Sequence, residues 1–207
     1  MSAEELMLAR RRNSDAGANL YEGLAQDLFF IDDDFFDVVL CHWALTLMDQ
    51  VPRVLKEVRR VLKDTGIFAA IVDGRAQTAP GYAELNEIIY SYVRQYCPQY
   101  GGIDLGDPRV REGESLERLV KQTFAGAEVK IESEVFYMKS SPKVLASEVA
   151  GFFYASYVLN PEDHNCMLQQ IESFFEKQQK GNQCKFSLPV NKRVVRHSPD
   201  IGPGNQS

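Results

Sequence analysis

The chain has 207 residues, of which 44% are hydrophobic and 25% are charged. This is the composition of a globular protein with room for one hydrophobic core, and it argues against a disordered or fibrous chain. The formal net charge of −6 excludes an obvious role in binding a nucleic-acid backbone. Because no apolar run is long enough to span a bilayer and no signal peptide is recognised, we expect a cytoplasmic protein with no membrane partner. The four cysteines lack paired metal-ligand spacing, and no metal site is predicted.

The first third of the chain predicts a helix, a strand and then a strand–helix–strand unit. Ser2–Arg12 reads as a helix and Ala18–Gly23 as a strand that follows a turn. Phe35–Cys41 and Gly66–Asp73 are short, nearly unbroken apolar runs, as expected for parallel strands that are covered on both faces. Between them, apolar residues recur at helical spacing, and Asp49 and Pro52 suit the helix start.

The remaining elements follow from the same periodicities. The predicted helices and strands are Tyr82–Tyr96 (helix), Glu114–Phe124 (helix), Glu128–Met138 (strand), Lys143–Leu159 (helix), Pro161–Lys180 (helix) and Lys185–Arg196 (strand or hairpin). Cys97–Gly113 reads as a loop, and the tail 198–207 as disordered. We therefore expect one α/β domain over residues 1–197, with a helical insertion at about 141–180 before the last strand.

The run from Asp34 to Gly66 resembles the centre of the class I S-adenosylmethionine-dependent methyltransferases that act on small molecules. That family has a Phe-Asp-Val-Val strand and a helix that closes in Arg-Val-Leu-Lys-Pro-Gly-Gly; here the close is Arg60-Val-Leu-Lys-Asp-Thr-Gly66. The resemblance implies a Rossmann-like sheet with an antiparallel strand near one edge, and methyl transfer from S-adenosylmethionine to a small-molecule acceptor. A nicotinamide-dependent oxidoreductase would share the sheet but does not explain Phe36–Gly66.

The resemblance also implies a set of cofactor-binding residues. In the family, the third strand ends in Gly-Asp-Ala, and its Asp accepts a hydrogen bond from adenine; here Leu24 stands between Gly23 and Ala25 and cannot do so. The loop after the central strand, Cys41-His42-Trp43, would contact the methionine part of the cofactor and face the substrate.

Three side chains near the strand ends are candidates for chemistry. His42 is a candidate general base, because imidazole titrates near neutrality, or it shapes the pocket. Asp73 either steers a substrate or caps the next segment, the reading we favour, and Arg75 is a candidate clamp for an anion.

One part of the family pattern is missing from the sequence. No Gly-x-Gly-x-Gly run occurs, and the resemblance would place that loop and the acid that binds ribose before Met1. The sheet is therefore expected to be incomplete at its N-terminal side, with an exposed edge through which the chain could form a homodimer. The alternative function is a non-catalytic or truncated methyltransferase-like protein that does not bind the cofactor alone and acts as an interaction partner.

Overall fold

A computed structural model describes residues 3–13, 18–102, 106–179, 181 and 183–196, and these residues form a four-stranded sheet in the order β1-β2-β4-β3. The strands are β1 (Phe36–His42), β2 (Leu62–Asp73), β3 (Glu128–Ser140) and β4 (Cys184–Arg196). β1 pairs parallel with β2, whereas β4 lies antiparallel between β2 and β3. The predicted α/β fold with a parallel pair and an antiparallel strand is confirmed.

Helices cover the two faces of this sheet unequally. They are α1 (Ala3–Arg12), α2 (Val51–Val61), α3 (Tyr82–Tyr96), α4 (Gly113–Thr123), α5 (Pro142–Phe152) and α6 (Pro161–Lys177). One core cluster joins α2 and α4 to the side chains of β2 on one face, and the other joins α3, α5 and α6 to the start of β4. α2 contributes Val51, Val54, Leu55, Val58 and Val61, all buried, at the spacing of a helix that covers a sheet.

Three details of the predicted elements are wrong. Residues Ala18–Gly23 form no strand, and no described strand lies beside them to complete a ladder. Asp49 does not cap α2, which begins after Gln50 in a left-handed backbone conformation. The predicted helix Lys143–Leu159 stops at Phe152 because Phe153 is extended, and a short 3₁₀ helix follows over Tyr154–Val158.

The segment before β1 is held in place by an ion pair on α2. Arg60 donates to the backbone oxygens of Leu28 (2.9 Å) and Ile31 (2.8 Å) and forms a salt bridge with Glu57 (2.9 Å). Glu57 in turn accepts from the backbone N–H of Leu28 (2.9 Å). These bonds fix the path of the chain at Leu28 and Ile31, just before β1.

The carboxylate of Glu57 gives stability a dependence on pH. The hydrogen bond with Arg60 lowers the pKa of Glu57 in the folded protein. The charged carboxylate therefore stabilises the fold fully above the pKa that Glu57 has in the unfolded chain, and this contribution is lost as the pH falls through the lower pKa of the folded state. We expect Glu57→Gln to lower the free energy of unfolding by about 1 kcal/mol at pH 7. Urea unfolding at pH 7 and pH 3 should show this difference shrinking at the lower pH; a constant difference would contradict it.

β1 forms one edge of the described sheet, because β2 pairs with one side of it and no described strand with the other. Two of its apolar side chains are exposed, Val38 by 50% and Leu40 by 75%. An unpaired apolar edge is a template for pairing with another chain. The predicted homodimer stays a prediction.

We expect Leu40→Lys to weaken self-association, because an exposed charge on an edge strand opposes edge-to-edge pairing. Light scattering over a concentration series would measure this, with Leu47→Lys, at another exposed leucine outside the sheet, as the control. A monomeric wild-type protein at all concentrations would rule out the dimer.

In the described part of the chain, none of the helices has the length and apolar character needed to cross a membrane. The predicted disordered tail 198–207 lies outside the described residues.

Candidate functional site

The carboxyl ends of β1 and β2 lie side by side and form the floor of the candidate site. His42, the last residue of β1, is paired with Ile71 of β2, and Asp73 ends β2 two residues later. In open α/β sheets, ligands bind beyond this end of the strands. The predicted neighbourhood of His42, Trp43 and Asp73 is therefore present.

Trp43 is the most constrained residue of the site. Its backbone has a φ of 53°, an uncommon conformation for a bulky residue, and its N–H donates to the oxygen of Ile71 at 3.0 Å. Its indole Nε1–H donates to Oδ1 of Asp73 at 2.8 Å. The indole ring also makes edge contacts with His42 and Phe152, at centroid distances of 4.8 and 5.6 Å. Strained backbone that its surroundings hold in place is a common feature of functional sites.

Asp73 orients the tryptophan and caps no described helix. The short 3₁₀ helix Ala76–Thr78 starts after Arg75 and has no side-chain cap, so the favoured reading of Asp73 as a cap is wrong. The carboxylate accepts from Trp43, and the backbone oxygen of Asp73 accepts from Nδ2 of Asn191 on β4 at 3.1 Å. The end of β2 is thus tied to both neighbouring strands.

An aromatic chamber of about 910 Å³ opens above these residues. Its walls come from the strand ends, from α3 and from the junction of α5 with the 3₁₀ helix after it. The aromatic side chains that line it are Trp43, Tyr82, Tyr90, Tyr100, Phe152, Phe153, Tyr154 and Tyr157. The polar and charged groups beside them are His42, Thr46, Asp73 and Asn86. A large, mostly apolar cavity with a few converging polar groups is the usual form of a small-molecule site.

Two tyrosines of the chamber, Tyr82 and Tyr100, have a raised pKa. Burial, and secondarily the carboxylate of Asp73, raises the pKa of Tyr82, which is only 5% exposed. Burial also raises the pKa of Tyr100. These tyrosines therefore offer O–H donors and ring faces rather than phenolates.

His42 is the candidate base of the chamber. Its side chain is exposed and lines the cavity, and among the described residues its imidazole has a ring contact with Trp43 but no side-chain hydrogen bond. Both ring nitrogens are therefore available to a bound molecule.

The other predicted cofactor residues lie outside the chamber. Gly23, Leu24 and Ala25 belong to the segment before β1, and Leu24 is 63% exposed and forms an isolated bridge with Asp27. Cys41 points to the opposite face of the sheet, against the cluster of α2 and α4, and burial raises the pKa of its thiol. The structure therefore brings together His42 and Trp43 but not the other four.

The two residues predicted to bind the substrate, Asp73 and Arg75, lie in different cavities. Asp73 lines the aromatic chamber, whereas Arg75 lines a second cavity on the other face of the sheet. The tyrosines of the chamber were not predicted as site residues, because the helical spacing of Tyr82 and Tyr90 in Tyr82–Tyr96 is equally typical of packing. The clustering of Tyr154 and Tyr157 just after a helix was the available signal.

Comparison with known proteins gives a family match over the N-terminal part of the chain and a shared fold over most of it. Residues 1–70 match the family described as the methyltransferase domain. No curated protein matches the chain. Solved structures match across nearly its whole length at low identity, and the matches below show a shared fold.

Three of these structures illustrate the likeness. YcgJ of Bacillus subtilis is 14% identical to this chain, with a TM-score of 0.55. A proposed methyltransferase of Bacillus halodurans is 15% identical, with a TM-score of 0.53. Each of these two matches covers 95% of this chain and 80% of the other. An S-adenosylmethionine-dependent methyltransferase of Thermotoga maritima is 16% identical, with a TM-score of 0.50, and the match covers 95% of this chain and 70% of that one. The mixed sheet and its helices are those of the Rossmann-like methyltransferase fold.

Proposed function

We propose that this chain, a relative of the class I S-adenosylmethionine-dependent methyltransferases, transfers a methyl group from S-adenosylmethionine to a small-molecule acceptor in the aromatic chamber. The observation that carries the proposal is the position of the chamber, at the carboxyl ends of β1 and β2 on a methyltransferase fold. The match of residues 1–70 to the methyltransferase domain supports it.

The residues of the chamber suit the sulfonium end of the cofactor. Aromatic ring faces and a carboxylate attract a cation, and Trp43 and Asp73 supply both side by side. The volume of about 910 Å³ lies in the range of small-molecule sites. When bound, S-adenosylmethionine supplies a methyl group attached to a good leaving group. Trp43 and Asp73 are the residues that would hold this end of it, with the imidazole of His42 beside Trp43.

The side chains contribute position, exclusion of water and a proton acceptor. Aromatic walls remove water from the reacting atoms, which favours a displacement that needs alignment more than acid–base help. An amine or hydroxyl acceptor that loses a proton as it becomes methylated can pass it to the free imidazole of His42. Asp73 fixes the orientation of the Trp43 indole and so fixes one wall of the chamber.

The charges of the chamber lining also restrict which charge the acceptor can carry. Among the described residues of the chamber there is one carboxylate, Asp73, and neither a lysine nor an arginine. An acceptor with a free anionic group would meet an uncompensated carboxylate there, whereas a neutral or cationic molecule would not. We therefore propose an acceptor that is neutral or positively charged where it enters this chamber.

A second candidate function is a non-catalytic relative that binds no cofactor alone and acts through a partner. The observation that favours it is that Gly23, Leu24 and Ala25, which the resemblance assigns to the adenosine part, do not line the chamber. The open edge at β1 would serve such a partner.

Isothermal titration calorimetry of the 207-residue chain with S-adenosylmethionine separates the two functions. Stoichiometric binding at micromolar affinity is expected for the enzyme and would remove the second function. A matched titration of Trp43→Phe, which loses the bond to Asp73 but keeps an aromatic ring, should show weaker binding. No binding to the wild-type chain would contradict the enzymatic proposal.

A further inference from the structure

A second cavity of about 440 Å³ lies on the face of the sheet that α4 covers. It is bounded by the first turn of α4, by neighbouring side chains of β3 and β4, and by the loop after β2. The residues that matter here are Arg75, Gly113, Glu114, Ser133, Asn191 and Arg193. The function proposed above does not use this cavity.

Arg193 is a buried cation without an adequate partner. It is 2% exposed, and Nη1 makes one long hydrogen bond of 3.4 Å to the backbone oxygen of its neighbour Lys192. Its Nε is buried and has no hydrogen-bond partner among the described residues. Burial lowers the pKa of this guanidinium. Because burying an unpaired charge is costly, such a group is expected to have an anionic partner.

The N-terminus of α4, the positive end of its helix dipole, lies beside the guanidinium of Arg193. α4 has 11 residues, and its N-cap residue Glu112 makes no side-chain capping bond, so first-turn N–H groups are left for another acceptor. A Cβ added at Gly113, the first residue of α4, would lie 3.1 Å from Nη2 of Arg193. A guanidinium and the positive end of a helix dipole therefore lie together, and an anion bound beside them, in contact with both, would satisfy both.

The carboxylates around the cavity do not fill this role. Glu117 lies close enough that its charge opposes the lowering of the pKa of Arg193, but it pairs with Lys121 at 2.7 Å on α4 and forms no ion pair with Arg193 among the described residues. Glu134 pairs with Lys192 at 2.6 Å, and by strand alternation both side chains project to the other face of the sheet from Arg193. Glu114 is exposed at the rim. Arg75 is also exposed and forms no ion pair within the described residues, which leaves a second cation at the mouth.

We propose that this cavity is a binding site for a small oxyanion, namely a carboxylate or a phosphate. The anion is either a free ion or a group of a larger metabolite. The anion contacts the guanidinium of Arg193 and the first-turn N–H groups of α4, and Arg75 closes over it. The hydroxyl of Ser133, which bonds to Asn191 at 2.6 Å, lies on the same wall. The assignment is independent of methyl transfer.

Nuclear magnetic resonance of the full chain, labelled with ¹⁵N, tests the site directly. Inorganic phosphate and acetate are titrated separately at constant ionic strength, and the Nε–H signal of Arg193 is followed. The expected result is a saturable shift of this signal. If phosphate alone gives it, the site takes phosphate groups; if acetate alone gives it, the site takes carboxylates. No saturable shift with either anion would overturn the proposal.

Matched variants check that the shift reports binding in the cavity. Arg75→Gln should weaken binding about tenfold, since a charge-assisted hydrogen bond is lost. Glu114→Gln should strengthen it, because a carboxylate at the rim is removed. Arg53→Gln, on α2 and outside the cavity, should leave the affinity unchanged. Equal effects of Arg75→Gln and Arg53→Gln on the affinity would overturn the proposal. Because none of these variants removes a buried group, all of them are expected to fold.

Discussion

Replacing His42 by asparagine is expected to lower the rate of methyl transfer by about 10²–10⁴-fold, the usual contribution of a general base. The imidazole is the group in the chamber that can accept a proton from the acceptor, and the described residues leave its nitrogens without a side-chain bond. Steady-state production of S-adenosylhomocysteine measures the rate. The loss should fall on kcat, because the acceptor and the cofactor are held by the aromatic walls.

The control is the same change at a histidine outside the chamber. His164→Asn on α6 should keep full activity, since His164 does not line the cavity. Cofactor affinity of the His42 variant, measured by calorimetry, should stay close to that of the wild type. A variant that retains full kcat would show that His42 only shapes the pocket.

Replacing Phe68 by alanine is expected to lower the free energy of unfolding by about 3–5 kcal/mol. Phe68 of β2 is 1% exposed and stacks on Phe124, just beyond α4, with ring centroids 6.0 Å apart. Removing the ring leaves a cavity between the sheet and α4 that the rigid strand pairing of β2 cannot collapse. Urea unfolding followed by circular dichroism measures the change.

Phe29→Ala provides the matched comparison. Phe29 is 83% exposed in the segment before β1. Its replacement by alanine should lower the free energy of unfolding by less than about 1 kcal/mol. Similar losses at the two positions would mean that β2 and α4 do not pack as described.

The sheet could be predicted from the sequence where a strand has a pairing partner in the described part of the chain. Phe36–His42 and Leu62–Asp73 are apolar runs separated by an amphipathic helix, and this order permits a parallel pair. Ala18–Gly23 has a strand-like pattern, but a strand forms only beside a partner, and no described strand lies beside it. Hydrogen bonds from Arg60 of α2 instead fix Leu28 and Ile31, further along the chain. Local pattern therefore failed where long-range pairing decides the structure.

The candidate site was predictable in part. His42, Trp43 and Asp73 meet because the carboxyl ends of parallel strands share one edge, which the sequence order implies. Cys41 was assigned to the same loop, but strand alternation turns its side chain to the opposite face. The burial of Arg193 was not predictable, because an arginine in a strand is expected to point to solvent. Its environment depends on where α4 begins.

Trp43 is the only tryptophan in the 207 residues, and it stands in the wall of the aromatic chamber. All of the protein's indole fluorescence therefore arises from the candidate site, with no background from elsewhere in the fold. A molecule that enters the chamber changes the polarity around this ring or breaks its bond to Asp73, and either event alters the emission. The chain thus carries its own optical reporter, with which a library of unlabelled acceptors can be screened before any of them is known to react.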